Sequence, residues 1–207
     1  KALVSGRVKP THSQVINVDD PAVMRQWPRY PGKSTLMSVK GATTQIQRHC
    51  ESGGDAVYLD GSLIVLRNGT QGTTLCPVED IPLSFDGSAL YNVANVLGAI
   101  ALAQSIGLAK EAILEGITSF GRHWDDNPGR GQFTEVKGVK IFLDFGHNPE
   151  GACGVLEVVD HLRGTGDKRG RLSVSVGQAS DRSDQDIRQL GDVVAQSQPE
   201  RIFLRAL

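Results

Sequence analysis

The chain contains 207 residues, of which 39% are hydrophobic and 22% are charged, and its formal net charge is −1. A chain of this length can bury one or two hydrophobic cores, whereas the near balance of charge argues against a nucleic acid or a membrane surface as a partner. The three cysteines are scattered without the spacing of a metal site, so we interpret them as reduced thiols in the cytoplasm. Because the chain starts at Lys1 and stops on a strand-like run, Arg201 to Leu207, we expect it to be part of a longer protein.

The first segment predicts a strand followed by a short helix. Gln14–Val18 is strand-like, and Asp19-Asp20 comes before a proline, so both aspartates are interpreted as caps of a helix that extends to Met24. Gly32-Lys33-Ser34 has the residues that end a phosphate-binding loop. That motif also needs a glycine five residues before the glycine–lysine pair, where this chain has Trp27, so we exclude a phosphate loop here.

From Ser34 to Phe85 the sequence predicts a small antiparallel sheet. Its short β-type runs are separated by Asp60-Gly61 and Asn68-Gly69, which are strong hairpin signals between apolar segments. The predicted strands are Leu36–Val39, Ala56–Leu59, Leu63–Leu66 and Thr73–Leu75. Apolar residues at helical spacing then predict two helices, Asn92–Gln104 and Ala109–Ser119.

A polar, proline-bearing linker, residues 121–131, separates this region from a second predicted domain. Beyond it the order is strand, helix, strand, helix, strand, and this alternation predicts parallel strands with right-handed crossovers. The predicted elements are Val139–Leu143, Gly151–Leu162, Leu172–Gly177, Asp184–Gln196 and Arg201–Leu204. The fold class is therefore α/β.

Polar residues cluster where the first strand of the second domain ends. Asp144, His147 and Asn148 follow that strand directly, and Asn148 is suited to cap the next helix. Residues 178–183 follow the next strand and belong to the same sheet edge, where open α/β sheets bind ligands. The alternative is structural: Asp144 and His147 bond only backbone amides, and Asp181-Arg182 is a surface ion pair of little energetic value.

Three residues outside this turn are further candidates for ligand contacts. The amides of Asn92 and Asn95 offer a donor and an acceptor, which matches the edge of adenine. Their alternative roles are an N-cap for Asn92 and an exposed helix residue for Asn95. Arg130, in the linker run Asn-Pro-Gly-Arg, can bind phosphates bidentately when the domains close, or it is simply a solvated arginine in a turn.

The order of these features resembles that of the Mur ligase superfamily, whose members form amide bonds at the expense of ATP. Residues 144–151, Asp-Phe-Gly-His-Asn-Pro-Glu-Gly, are similar to the signature Asp-(Tyr/Phe)-Ala-His-Asn-Pro-x-Gly. Residues 15–21 and 81–95 resemble further family segments. The Asn-Pro-Gly-Arg linker and Ser-Asp-Arg at 180–182 are most similar to the carboxyl-terminal part of the cyanophycin synthetases. The resemblance extends over nearly the whole chain.

This resemblance implies a domain organisation. Residues 1–120 would be the later half of a Mur-type central ATPase domain, containing the small antiparallel sheet. Residues 121–131 would be the interdomain linker. Residues 132–207 would be a truncated, Rossmann-like carboxyl-terminal domain with a mostly parallel sheet.

The resemblance also implies roles for the candidate residues. Asn92 and Asn95 would belong to the adenine site, Arg130 would contact the phosphates and Asp144 the ribose. His147 and Asn148 would lie in the cleft between the domains and, with Arg130, serve catalysis.

The implied reaction joins a carboxylate to an amine in two steps. ATP phosphorylates the carboxylate, and the amine of an amino acid then displaces phosphate from the acyl phosphate. The implied cofactors are ATP and Mg²⁺, and the implied partners are an amino acid and a carboxylate or peptide substrate. The expected location is the cytoplasm, and homo-oligomerisation is left open.

Two departures from the family pattern shape the prediction. The family's phosphate loop and its Mg²⁺ ligands belong to a segment upstream of the matched region, and Gly146 stands where alanine is usual. We therefore predict that this chain alone cannot turn over ATP. A non-catalytic, nucleotide-responsive relative is the alternative, and an NAD-binding protein is disfavoured because no Gly-x-Gly-x-x-Gly follows a predicted strand.

Overall fold

The computed structural model describes residues 8–9, 11–30, 32–166, 169–178 and 182–206. The described chain divides into two compact units, one ending at Phe120 and the other starting at Gly121. Every helix in these ranges is too short or too polar to cross a lipid bilayer. The assignment of the units to Mur-type domains remains a prediction.

The first unit is built on one five-stranded sheet with its strands in the order β1-β2-β3-β4-β5. The strands are β1 (Ser13–Asn17), β2 (Lys33–Ser38), β3 (Asp55–Asp60), β4 (Leu63–Asn68) and β5 (Gln71–Pro77). The pairs β1–β2 and β2–β3 are parallel, whereas β3–β4 and β4–β5 are antiparallel hairpins. The predicted antiparallel pairing is thus confirmed for β3 to β5, and it is wrong for β2, which pairs with both of its neighbours in parallel.

The parallel pairing of β2 with β3 is explained by a helix that we did not predict from the sequence. This helix follows β2 and spans Thr44–Glu51, and Thr43 caps it by accepting a 3.4 Å hydrogen bond from the Ile46 amide. Ile46 and Cys50 lie one turn apart on its buried face. A strand, a helix and a second strand in succession bring the chain back in the same direction, so the two strands pair in parallel.

The two aspartates at the end of β1 have different roles. Oδ1 of Asp20 accepts hydrogen bonds from the amides of Ala22 and Val23 and caps the first helix, α1 (Pro21–Gln26), as predicted. Asp19 instead accepts 2.8 Å hydrogen bonds from the Ser38 hydroxyl and the Val39 amide, so it joins the ends of β1 and β2. The interpretation of both residues as caps is therefore wrong for Asp19.

Helices cover both faces of the sheet. The helix Thr44–Glu51 (α2) contributes to a cluster on one face that also contains Ile16, Leu36 and Tyr58. On the other face, α3 (Leu90–Ser105) and α4 (Lys110–Ser119) pack over the opposite side chains of the same strands. Alternating residues of a strand point to opposite faces, which is why neighbouring residues of β3 belong to different clusters.

The second unit begins with a hairpin of β6 (Gln132–Val136) and β7 (Val139–Leu143). We predicted only β7. Lys137 and Gly138 between them have φ angles of 51° and 78°, the left-handed conformations that a two-residue hairpin turn requires. Lys137-Gly138 between two β-type runs is the signal in the sequence.

The remaining elements of the second unit alternate as expected. They are α5 (Pro149–Arg163), β8 (Ser173–Gln178), α6 (Asp184–Gln196) and β9 (Arg201–Ala206). The pair β8–β9 is parallel, so the α/β class is confirmed. Among the described residues β7 pairs with β6 in the antiparallel sense and not with β8. The predicted parallel pairing is therefore confirmed for β8 and β9 and is wrong for β7. Two cavities, of about 560 and 200 Å³, are lined by residues of both β7 and β8.

Candidate functional site

The register of the β6–β7 hairpin brings the linker to the end of β7. Gln132 lies opposite Leu143 in the antiparallel ladder. One step further, Gly131 lies beside Asp144 and donates its backbone N–H to Oδ2 at 2.8 Å. Gly131 has a φ of 61°, a conformation that glycine adopts without strain. The hairpin therefore places the linker arginine at the carboxyl end of a strand.

Asp144 is bound to backbone amides through both of its carboxylate oxygens. Oδ2 accepts from Gly131, and Oδ1 accepts a 2.8 Å hydrogen bond from Gly146. These contacts agree with the structural alternative for Asp144. A carboxylate oxygen has more than one lone pair, so each can also accept a hydrogen bond from a ligand hydroxyl.

Three side chains form a row at this strand end. The guanidinium carbon of Arg130 lies 4.8 Å from the centre of the Phe145 ring, within the range of a cation–π contact. The ring centres of Phe145 and His147 are 5.0 Å apart, with an angle of 49° between the ring planes. We did not identify Phe145 as a site residue, although it occupies the aromatic position of the signature.

The linker turn that carries Arg130 is held by its own hydrogen bonds. The Arg130 amide donates to the Asn127 carbonyl at 3.1 Å. The Gly129 amide donates to Oε1 of Gln132, whose Nε2 donates to the Trp124 carbonyl, both at 2.6 Å. Gln132 thus holds the linker turn together. The sequence pattern did not indicate this role.

Asn148 caps the helix that follows the turn. Its Oδ1 accepts a 2.7 Å hydrogen bond from the Gly151 amide, and Pro149 occupies the first helical position of α5. The predicted N-cap is confirmed. The catalytic role of Asn148 stays a prediction: its side-chain oxygen is engaged in capping, and the residue is exposed.

The two candidate asparagines of the first unit have different environments. Asn92 is only 8% exposed, and its side-chain amide donates to the Leu83 carbonyl at 2.9 Å. Because α3 begins at Leu90 after Ala89, the alternative interpretation of Asn92 as an N-cap is wrong. Asn95 lies one turn later on the same helix and is exposed, which agrees with a ligand contact and equally with the alternative of an exposed helix residue.

A second carboxylate near the linker is also bound to backbone amides. Oδ2 of Asp126 accepts from the amides of Gly121 and His123 at 2.9 and 3.0 Å. These hydrogen bonds, chiefly the one from His123, hold the pKa of Asp126 below its ordinary value because they stabilise the charged carboxylate. The turn that opens the second unit is therefore fixed by a side chain that we did not single out.

The described residues hold no group of three or more histidine, cysteine, aspartate or glutamate side chains that could bind a metal ion. They thus provide no such set of ligands for Mg²⁺. Cys50 and Cys76 are buried, and Cys153 is exposed. Asp181 of the predicted surface ion pair lies outside the described residues.

The two units and this turn define an α/β protein with polar side chains at a strand's carboxyl end, the arrangement that binds ligands in open α/β sheets. No family model matches the chain. Over 200 residues it is 30% identical to the cyanophycin synthetase of Synechocystis sp., an alignment that covers 95% of this chain and 22% of the relative.

Mur ligases are similar as well. The UDP-N-acetylmuramoyl-L-alanyl-D-glutamate–2,6-diaminopimelate ligase of Gloeobacter violaceus is 26% identical over 186 residues, covering 88% of this chain and 33% of that ligase. The UDP-N-acetylmuramate–L-alanine ligase of Agathobacter rectalis is 40% identical over 74 residues, covering 35% of this chain and 15% of that ligase. The chain is therefore a relative of the Mur ligase superfamily. It spans about a fifth of the length of the cyanophycin synthetases that it matches.

Proposed function

We propose that the chain is part of an ATP-dependent ligase that joins a carboxylate to the amine of an amino acid, as a relative of cyanophycin synthetase. The observation that carries the proposal is that the similarity to cyanophycin synthetases runs through both units, over 95 to 100% of the chain. Because the chain is much shorter than these relatives, the proposal concerns the whole ligase, to which this chain contributes one part.

The second unit is proposed to bind the ribose and the phosphates of ATP. Asp144 accepts the ribose hydroxyls with the lone pairs that its two backbone amides leave available. Arg130 binds phosphate oxygens, for which a planar guanidinium offers paired N–H donors. The hairpin supports this assignment because it brings both residues to one strand end.

The first unit is proposed to contribute the adenine contact. Asn95 is exposed on α3 and offers a donor and an acceptor. Asn92 is proposed to support this site indirectly. Its side-chain amide donates to the Leu83 carbonyl and so holds the start of the helix that carries Asn95.

The proposed reaction begins when a carboxylate oxygen attacks the γ-phosphorus of ATP, giving an acyl phosphate and ADP. The amine nitrogen then attacks the carbonyl carbon, and phosphate leaves with the electrons of the carbon–oxygen bond. Arg130 stabilises negative charge on the phosphoryl oxygens, and His147 and Asn148 contact the reacting groups. Mg²⁺ would neutralise phosphate charge when bound, and its main ligands are expected outside the described residues.

The substrates and the cellular location are also part of the proposal for the whole ligase. The carboxylate donor is an acidic peptide, the amine donor is an amino acid, and the ligase works in the cytoplasm. Its assembly as a homo-oligomer is open to direct measurement by sedimentation.

Calorimetric titration with a non-hydrolysable ATP analogue tests the ribose contact. We expect the analogue to bind wild-type protein and to bind Asp144→Ala at least tenfold more weakly, because the ribose hydroxyls lose their acceptor. Glu135→Ala, which removes a carboxylate from the exposed side of the same hairpin, is the control and should bind like wild type. Equal affinities for wild type and Asp144→Ala would refute the ribose role.

A non-catalytic, nucleotide-binding relative is the second candidate. It is favoured by one observation: Gly32-Lys33-Ser34 leads into β2 and not into a helix, so it does not have the geometry of a phosphate loop. The native gene upstream of Lys1 separates the two candidates. A Gly-Lys-Thr loop after a strand supports the ligase, and a gene without one supports the binding protein. In either case we expect no ATP hydrolysis by residues 1–207 alone.

A further inference from the structure

The cation–π contact between Arg130 and Phe145 follows from the register of the hairpin. Gln132 pairs with Leu143, and each further step away from the hairpin turn sets one linker residue beside one residue that follows β7. The first step gives the hydrogen bond from Gly131 to Asp144, and the second gives the contact of Arg130 with Phe145. The linker is thus held to the segment after β7 by the backbone of Gly131 and, one residue earlier, by the side chain of Arg130.

The base of the Arg130 side chain is fixed before its tip makes any contact. The Arg130 amide is bound to the Asn127 carbonyl, and the neighbouring Gly129 and Gly131 amides are bound to Gln132 and Asp144. A long arginine side chain on a fixed backbone still samples many rotamers. The Phe145 ring selects those rotamers that lay the guanidinium over its face.

The ring is itself held from the side. His147 lies 5.0 Å from Phe145, centre to centre, and the Asn148 cap fixes the backbone directly after it. Phe145 is nevertheless 60% exposed. An aromatic side chain that is this exposed contributes little to a core, and its ring face is accessible to Arg130.

A cation–π contact through one face of the guanidinium leaves the group able to bind an anion. Its N–H groups lie in the plane of the group and point outward from its edge, whereas the aromatic ring covers only one face. A phosphate group can therefore approach the edge bidentately while the contact with Phe145 persists.

We propose that Phe145 is a positioning residue that holds the guanidinium of Arg130 ready for the phosphates of the nucleotide. The proposal rests on the proposed function, because the phosphate is that of ATP. Phe145 acts through Arg130 and touches no reacting atom. Its contribution is to reduce the conformational freedom that Arg130 must lose when phosphate binds.

Three variants test the proposal. Phe145→Leu removes the ring and keeps an apolar side chain, and Phe145→Tyr restores an aromatic face. Phe133→Leu removes a phenyl ring from β6 of the same hairpin and serves as the control. The first readout is the NMR signal of the Arg130 side chain, because an aromatic face shifts nearby protons upfield. The second readout is the calorimetric affinity for ATP and for adenosine.

We expect the upfield shift in wild type, Phe133→Leu and Phe145→Tyr, and its loss in Phe145→Leu. We expect Phe145→Leu to weaken ATP binding about two- to fivefold, the range of an exposed cation–π contact, and to leave adenosine binding unchanged. A purely structural role for Phe145 would weaken both ligands alike, and that result overturns the proposal.

Other outcomes separate this proposal from the proposed function. If ATP binds wild type and Phe145→Leu equally, the positioning role is refuted and the ligase proposal stands. If ATP does not bind wild type at all, nucleotide binding by this chain is refuted, and the positioning role is refuted with it. Absence of the upfield shift in wild type also refutes the positioning role, whatever the affinities are.

Discussion

The backbone amide of Gly131 donates a 2.8 Å hydrogen bond to the carboxylate of Asp144, across 13 residues of sequence. The bond joins the linker to the polar turn that follows β7. Asp144 is thus both a structural residue in the free protein and the proposed ribose acceptor. A variant at this position affects both roles: the calorimetric titration described above reports on the ribose contact, and the unfolding measurement below reports on the structural one.

Asp144→Asn should destabilise the second unit. The Asn amide group keeps only one acceptor oxygen, so one of the two backbone N–H groups, of Gly131 or Gly146, must face an amino group. Loss of a hydrogen bond to a charged, half-buried group costs about 1–3 kcal/mol. Thermal or urea unfolding measures the change, and Glu135→Gln on the exposed side of β6 is the matched control. A variant as stable as wild type would show that these two hydrogen bonds contribute nothing to folding.

Gly146→Ala should be tolerated, whereas Gly131→Ala should not. A Cβ at position 146 would meet Ala152 N and Gly151 C at 3.4 Å, an ordinary van der Waals contact. A Cβ at position 131 must adopt a φ of 61°, which costs about 1–2 kcal/mol for an L-residue. We expect the free energy of unfolding to change by less than about 0.5 kcal/mol for the first variant and by about 1 kcal/mol for the second. The reverse order would contradict the backbone described at these two positions.

Acid should weaken the turn that opens the second unit. The pKa of Asp126 is held below its ordinary value of 3.8, chiefly by the hydrogen bond from the His123 amide. The stabilisation by the charged carboxylate is therefore fully present above the unfolded-state pKa and is lost as the pH falls through the lower folded-state pKa. The amide signals of Gly121 and His123, followed by NMR, should titrate together with a midpoint below 3.8. Asp126→Asn should abolish this titration, and Asp125→Asn should preserve it.

Only one of the three cysteines should react with a thiol reagent in the native protein. Cys153 is exposed, whereas Cys50 and Cys76 are buried. Although the residue is exposed, desolvation of its sulfur and then the nearby charge of Glu157 raise the pKa of the Cys153 thiol above 9.0, so its reaction rate should still rise as the pH passes 9. Counting modified thiols with and without denaturant tests the first statement. Two fast-reacting native thiols would disprove it, and a Cys153→Ser variant identifies the reactive one.

The parts of the fold that were predicted from sequence are those with strong local signals. Asp60-Gly61 and Asn68-Gly69 mark the hairpins of β3 to β5, and Asn148-Pro149 marks the start of α5. Each signal acts through the backbone conformation of a few neighbouring residues. For such elements, sequence and structure agree to within a few positions.

The parts that were missed depend on distant partners or on weaker signals. The helix Thr44–Glu51 is short and mostly polar, and only two of its residues, Ile46 and Cys50, are buried, so its apolar face is small. Without that helix, the parallel direction of β2 does not follow from the sequence. The role of Asp19 was missed for a similar reason, since its carboxylate accepts hydrogen bonds from Ser38 at the end of β2 and from Val39 directly after it.

For the candidate site, the sequence indicated which residues lie together but not what they contact. Asp144, His147 and Asn148 were expected in one turn because they are near neighbours. The approach of Arg130 depends on β6, which we did not predict. The contact with Phe145 was missed for the same reason.

The hairpin register also has a consequence for the order of folding. The contacts around Arg130 are all local in sequence. The row of Arg130, Phe145 and His147 and the two hydrogen bonds of Asp144 involve only the β6–β7 hairpin, the residues beside it and the turn before the next helix. Closing such a short loop costs little chain entropy, and local contacts of this kind form rapidly. The contacts around Arg130 can thus form early in folding, before the slower parallel pairing of β8 with β9.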